Sequence, residues 1–172
     1  MKNLWLVSGL IAWVLVTFVV VAWGVLVSGP AISGWYADLH KPALTPPPGA
    51  FALIWLVMYI LMAIAAWIVW RKYNFAIAGT PLTAYLTQLL LNAFWLMVFF
   101  EGHAILTAFW VMVLIWLVSV MLTLQFWQQS RLAARLMLPY LVWITFVAAV
   151  NYDLWLLNKT PINWDWLFHL VH

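Results

Sequence analysis

The sequence has little charge and no cysteine, and each shortage excludes a class of protein. Only 6% of its 172 residues are Asp, Glu, Lys or Arg, whereas 69% are hydrophobic. A soluble domain carries about 25% charged residues, so most of this surface must face something other than water. The absence of cysteine excludes disulfides, iron–sulfur ligation and thiol nucleophiles. We therefore expect neither conventional soluble-enzyme chemistry nor a nucleic-acid partner.

Long uncharged runs predict membrane spans. A helix needs about 20 apolar residues to cross a bilayer, and runs such as residues 5–27 are apolar on every side. A transmembrane barrel would instead alternate polar and apolar residues in short strands. The sequence therefore predicts an all-α integral membrane protein, a bundle of five transmembrane helices. The predicted spans are residues 4–27, 50–70, 81–100, 104–127 and 136–157.

The segments outside the spans differ in length and composition. The first connection, residues 28–49, is the longest and is rich in Gly and Pro, which interrupt helices. Thr45 is expected to cap the second helix, and Thr80-Pro81 is expected to begin the third. Residues 1–158 then form the transmembrane domain. Residues 159–172 are too short to span and are predicted to be an interfacial tail, because their aromatic residues suit the headgroup layer.

Basic residues are concentrated on one side of the predicted bundle. That side carries no acidic residue and five basic ones: Lys2, Arg71, Lys72, Arg131 and Arg135. The positive-inside rule then predicts a cytoplasmic N-terminus in a bacterial inner membrane. An outer membrane stays open as the alternative, and there the same asymmetry would lose this meaning.

Polar and aromatic residues recur at helical spacing inside three spans. They are Trp55 and Tyr59 in the second, Gln88, Asn92 and Trp95 in the third, and Trp143, Val147 and Asn151 in the fifth. Where these faces converge, they would form a mostly aromatic pocket with a few hydrogen-bonding groups, as in small-molecule sites. The same pattern is typical of hydrogen-bonded helix contacts, and spacing alone favours that interpretation. Flat aromatic walls would suit a flat apolar ligand such as a porphyrin or a sterol.

Spacing typical of metal ligands is absent, and so is a nucleophile–base pair. We therefore predict no metal site, no catalytic residue of a conventional kind and no required cofactor. From the residues alone, the protein is either a membrane binding protein or a passive scaffold.

Four stretches of the sequence, in one order at compatible spacing, resemble the tryptophan-rich sensory protein and translocator protein family (TspO/MBR, also called peripheral benzodiazepine receptors). The matching residues are Trp35-Tyr36, Leu39, Lys41-Pro42 and Thr45-Pro46-Pro47 in the first loop; Phe51, Trp55, Tyr59 and Met62; Gln88-Leu89, Leu91-Asn92, Trp95 and Phe99-Phe100; and Pro139-Tyr140-Leu141, Trp143, Phe146, Asn151 and Asn158.

The resemblance implies a five-helix bundle with a cavity that the first loop covers as a lid. It implies porphyrin or haem as ligand, with sterols and benzodiazepine-type compounds as further ligands, and a homodimer. Carried over by position, the cavity residues are Trp55, Tyr59, Asn92, Trp95, Trp143, Val147, Ala148 and Asn151. The lid residues are Trp35, Leu39, Lys41, Pro42, Leu44, Pro46 and Pro47.

The resemblance also leaves the function open between several classes. Tetrapyrrole sensing, handling or transport by a receptor-like protein is the leading expectation. Light- and oxygen-dependent porphyrin breakdown, with Trp55 and Trp143 as the reactive residues, is an alternative, and so is regulation of another membrane protein. The sequence departs from the family pattern where Leu44 replaces a common lid tryptophan. It also lacks the proposed sterol pattern, because Lys159 lies seven positions after Tyr152.

Overall fold

The computed structural model describes residues 2–159, with side chains described for residues 5–73 and 79–159. Its helices are α1 (Lys2–Ser33), α2 (Trp35–Asp38), α3 (Pro48–Leu96), a π-helical turn (Met97–Glu101), α4 (Ile105–Gln129) and α5 (Arg131–Asn158). Within residues 2–159 there is no strand. Apart from Lys159, the predicted interfacial tail lies outside the described residues.

Five helical stretches are long and apolar enough to cross a membrane. We call them spans one to five: Trp5–Ser33, Pro48–Tyr73, Gly79–Glu101, Ile105–Gln129 and Arg131–Asn158. They confirm the predicted all-α bundle of five transmembrane helices.

Spans two and three belong to one continuous helical element, α3, that reverses its direction. The rings of Trp55 and Trp95 lie 6.2 Å apart, centroid to centroid. A straight helix rises 1.5 Å per residue and would separate these residues by about 60 Å. The chain therefore turns back between Trp55 and Trp95, and the two spans pack side by side.

The helix ends differ from the predicted ones where proline was expected to interrupt. Span one continues past residue 27 and through Pro30 to Ser33. A helix keeps its backbone groups bonded, which an apolar environment favours strongly, and Ser28 donates its hydroxyl to the carbonyl of Gly24 at 2.5 Å. The helical backbone likewise runs through Pro81. Pro30 and Pro81 therefore lie within their helices and do not end them.

Capping also differs between the second and fifth spans. Pro47 occupies the N-cap position of α3 and makes no side-chain capping bond, so the expected cap by Thr45 does not form. Helix α5 starts five residues before the predicted residue 136, because the Ser130 hydroxyl accepts the Ala133 N–H at 3.4 Å. This cap extends span five toward the basic side of the bundle.

Packing is uneven around the bundle. Span one is the least buried, with 22% of its most apolar window buried against 44% in spans two, three and five. The largest fully buried side chains include Tyr85, Phe126 and Tyr140. Small residues on span two (Ala63, Ala65, Ala66) and span five (Ala133, Ala134) are also buried, which lets the helices approach closely. Span one therefore covers a core that the other four spans build.

Candidate functional site

A cavity lies beneath the first loop, between spans one, two, three and five. The space between its wall atoms is about 1040 Å³ when the open solvent at its mouth is included. Its lining is almost entirely apolar, as is typical of small-molecule sites. The wall residues on spans two, three and five are Pro48, Phe51, Ala52, Trp55, Leu56, Tyr59, Trp95, Leu96, Phe99, Phe100, Val147, Val150, Asn151 and Leu154.

One wall of the cavity is a continuous aromatic surface. The Trp55 ring stacks on Tyr59 at 5.3 Å and lies 6.2 Å from Trp95. Trp95 in turn stacks on Phe99 at 5.4 Å. Such offset ring pairs stabilise one another beyond their buried area. The wall is therefore aromatic along its length and is built from two adjacent spans.

Asn151 is a polar residue of the cavity wall, and its amide is already used. Its Oδ1 accepts the indole N–H of Trp95 at 3.2 Å, and its Nδ2 donates to the carbonyl of Ile105 at 2.8 Å. The side chain is buried, with 2% of its surface exposed. Asn151 thus ties spans three, four and five together and holds the Trp95 ring in its orientation.

Asn92 does not line the cavity. It donates from Nδ2 to the carbonyl of Gln88 at 2.8 Å and pairs with the hydroxyl of Tyr140 at about 3 Å. The pair lies between spans three and five. Ala148 is also away from the cavity wall and packs half-buried against the core. A ligand-binding role for these two residues stays a prediction.

Trp143 lies directly behind the cavity wall. Its ring centroid is 5.4 Å from Phe51 and 6.1 Å from Trp55, both of which line the cavity. Its indole N–H is buried and has no hydrogen-bond partner within the described part of the chain. A buried donor of this kind is costly, so Trp143 offers an unused hydrogen bond close to the site.

The first loop covers the cavity with helix α2 and the segment that follows it. Trp35 stacks on His103 at 4.2 Å and meets the edge of Phe99 at 5.6 Å. Tyr36 lines the cavity and lies about 6 Å from Phe99 and Phe100. These contacts attach the start of the loop to the end of span three.

The middle of the loop is held at two further points. The Lys41 ammonium lies 4.9 Å from the Tyr36 ring centroid and donates to the carbonyls of Ala37 and Leu39. Asn158 accepts the His40 N–H and donates to the His40 carbonyl, both at 3.0 Å. We call the Asn158–His40 pair the loop latch. It joins the loop to the end of span five.

Of the predicted lid residues, Pro46 lines the cavity, and the neighbouring Thr45 does so as well. Trp35, Leu39, Lys41, Pro42, Leu44 and Pro47 belong to the covering loop but do not face the cavity. The Thr45 hydroxyl is buried and lacks a hydrogen-bond partner within the described residues. It is the second unused polar group at the site.

Burial shifts the pKa values of two titratable groups where the loop contacts the bundle. Burial raises the pKa of the Tyr36 hydroxyl. Burial also lowers the pKa of His103, and a hydrogen bond with the Phe100 backbone opposes that shift in part. His103 has a φ of 50°, a left-handed conformation that few non-glycine residues adopt.

Span one supplies a cavity wall that the sequence pattern did not indicate. Its lining residues are Val20, Val21, Gly24, Val25, Ser28 and Ile32. An evenly apolar helix shows no face that points inward, and the one polar side chain in this set, Ser28, donates to its own helix at Gly24. Among residues with described positions, no cluster of His, Asp or Glu could hold a metal ion.

Comparison with known proteins identifies the family. The TspO/MBR family model matches residues 10–156. Protein CrtK of Rhodobacter capsulatus is 33% identical over 75% of this chain and 82% of its own length. The translocator protein of Sus scrofa is 36% identical over 73% and 75%, and the tryptophan-rich protein TspO of Archaeoglobus fulgidus is 32% identical over 78% and 87%. The chain is an integral membrane protein and belongs to the TspO/MBR family.

Proposed function

We propose that this protein binds a porphyrin or haem in the cavity between spans one, two, three and five. The observation that carries the proposal is the continuous aromatic wall of Trp55, Tyr59 and Trp95 inside an apolar cavity. A tetrapyrrole is a flat, mostly apolar ring system, so its faces match this wall. Sterols and benzodiazepine-type compounds are further candidates, because they share the apolar surface.

Binding affinity would come mainly from burial of the ring. Apolar burial contributes about 25 cal/mol per Å², and the cavity wall is almost entirely carbon. Orientation would come from the few polar groups that have no protein partner. The Thr45 hydroxyl at the loop and the Trp143 N–H behind Trp55 are two such groups, and a polar substituent of the ligand would satisfy either.

The first loop would close over the bound ligand. Its contacts with Phe99, His103 and Asn158 join it to spans three and five. Because Tyr36, Thr45 and Pro46 of the loop line the cavity, a ligand of porphyrin size would enter only after the loop moves, and binding and loop movement would be coupled. Sensing or handling of tetrapyrroles would use this coupling.

Titration of protoporphyrin IX against intrinsic tryptophan fluorescence tests the binding proposal. We expect saturable quenching, and we expect Trp55→Ala to weaken binding about thirtyfold, because truncation of a central aromatic contact costs about 2 kcal/mol or more. Trp116→Ala is the matched control, since Trp116 is exposed on span four and bonds Thr145 outside the cavity. Absence of saturation, or equal effects of the two substitutions, would contradict the proposal.

A second candidate function is light- and oxygen-dependent breakdown of the bound porphyrin. It is favoured by the edge-to-face contact of Trp55 and Trp143, at 6.1 Å, next to the cavity. Illumination in air should bleach the porphyrin faster with protein than in a matched detergent blank. Trp143→Phe should retain binding and slow the bleaching. Equal bleaching in all three samples would exclude this function.

The proposal also includes transport of the ligand, a homodimer and a cytoplasmic N-terminus, and each has its own test. Uptake of porphyrin into proteoliposomes would separate transport from binding alone. A homodimer, suggested by the family resemblance, predicts a crosslinked species of twice the chain mass in lipid. A cytoplasmic N-terminus, suggested by the basic residues, predicts that a label near Lys2 is protected in intact cells.

A further inference from the structure

A second, separate groove lies on the opposite half of the bundle from the loop. It encloses about 480 Å³ with its open side included, and its lining has almost no polar surface. Six residues of spans one, two and three form it: Gly9, Ala12, Trp13, Val16, Trp70 and Leu86. None of them lines the cavity beneath the loop. The groove is therefore distinct from the proposed tetrapyrrole site.

The groove lies where span one meets the Trp70 ring of span two. A Cβ added to Gly9 would fall 1.9 Å from the ring of Trp70, so only glycine allows this approach. Trp70 also stacks on Trp5 at 4.4 Å. From Gly9 to Val16 the helix rises about 10 Å. This length suits the upper part of one extended acyl chain.

A cationic side chain lies at the end of the groove where Gly9 meets Trp70. The next residue, Arg71, holds its guanidinium 4.5 Å above the ring of Trp67, and the Trp67 N–H donates to the carbonyl of Leu6 on span one. Arg71 therefore stands beside the start of span one. No carboxylate in the described part of the chain pairs with it, because the described acidic residues, Asp38, Glu101 and Asp153, lie at the opposite, loop end of the bundle.

The neighbouring Lys72 differs from Arg71 because its ammonium is occupied. It donates to the carbonyl of Gln129 at 3.1 Å and lies 4.7 Å from the Tyr73 ring. Arg71 is left with a planar fork of donors that matches a phosphate group. Basic pockets between transmembrane helices on the cytoplasmic side bind anionic lipid headgroups, and the basic residues predict that this end of the bundle is cytoplasmic.

We propose that this groove binds an anionic phospholipid, with one acyl chain between Gly9, Ala12 and Trp70 and the headgroup phosphate on Arg71. The apolar lining selects a hydrocarbon chain. The unpaired guanidinium at its end selects the charge of the headgroup.

Native mass spectrometry of the delipidated full-length protein tests this proposal. The probe is an equimolar mixture of phosphatidylglycerol and phosphatidylcholine with the same acyl chains. We expect the first retained lipid to be phosphatidylglycerol by about fivefold, the preference that one well-placed cation gives. Arg71→Gln should reduce this preference to near parity. Ala12→Phe, which fills the groove, should reduce retention of both lipids.

Arg135→Gln is the matched control, because it removes one exposed positive charge from the same side of the bundle, on span five. It should leave the preference unchanged. Equal losses in Arg71→Gln and Arg135→Gln would show that only the general positive charge acts, and would overturn the site. A wild-type protein without preference would overturn it as well. The melting temperature of Ala12→Phe distinguishes a filled groove from a misfolded protein, and Arg71→Gln gives an independent answer.

Discussion

The half of the bundle beneath the loop and the half away from it use the same residue types for different purposes. Beneath the loop, the aromatic side chains of Trp55, Tyr59 and Trp95 line an open cavity. In the opposite half, Tyr85 and Tyr140 are fully buried, and their hydroxyls pair with other side chains: Tyr85 with Thr17 at 2.6 Å, and Tyr140 with Asn92. The same residue types thus line a cavity in one half of the bundle and form a hydrogen-bonded core in the other.

We call the half of the bundle away from the loop the packed half. Its Ser and Thr hydroxyls also donate hydrogen bonds to carbonyls of their own helix. Ser119 donates to the carbonyl of Ile115, and Thr123 donates to that of Ser119. Two glutamines are exceptions. Gln88 is fully buried, and neither atom of its side-chain amide has a hydrogen-bond partner in the described residues. The Oε1 of Gln125 on span four is also buried without a partner there, and each such group is costly.

The largest expected effect compares a tyrosine from each half. Tyr140→Ala should lower the free energy of unfolding by about 3–5 kcal/mol, because a fully buried ring is lost and Asn92 loses its partner. Tyr59→Ala should cost roughly half as much, since it enlarges a cavity that already exists. Denaturation in mixed micelles measures both. Equal costs would show that the two halves are packed alike.

The next effect concerns the loop latch. Asn158→Ala removes two hydrogen bonds to the His40 backbone, each contributing about 0.5–1.5 kcal/mol. We expect dissociation of protoporphyrin IX to become about tenfold faster, because a loss of about 1.4 kcal/mol corresponds to a factor of ten. Stopped-flow fluorescence measures the rate. Lys159→Ala is the neighbouring control, and an equal acceleration there would argue against a latch.

The smallest effect is a pH dependence of loop closure. Burial against Trp35 lowers the pKa of His103, so the closed loop favours the neutral imidazole. The stabilisation is then present above the ordinary histidine pKa of about 6.5 and is lost as the pH falls through the lowered value. Ligand dissociation should accelerate in acid, and His103→Phe should abolish this dependence. His40→Gln should preserve it, since His40 joins the latch through its backbone alone.

The number and type of spans could be predicted because charge is excluded from hydrocarbon. Long uncharged runs thus mark each crossing, and the five observed spans coincide with them. The helix ends were harder, because a proline such as Pro30 ends a helix in water more readily than in lipid. In lipid, a backbone group outside a helix finds no water to form a hydrogen bond with.

The cavity could be predicted only in part. The spacing of Asn92 and Trp95 leaves them about 60° apart around a helix, so sequence alone cannot say which one faces the cavity. In the structure Trp95 faces it and Asn92 pairs with Tyr140. Span one was missed because its apolar residues carry no directional signal. Asn151 was found, although its contacts with Trp95 and Ile105 give it a positioning role.

The π-helical turn Met97–Glu101 links helix register to the lid. A π turn contains one residue more than the α-helical path it replaces, and here Phe99 and Phe100 are both buried beneath Tyr36. Loss of a single residue from this turn would restore α-helical winding. Every position after it would then rotate by about 100° relative to span three, which would carry His103 away from Trp35. The number of residues in this turn therefore determines whether His103 reaches Trp35 of the lid.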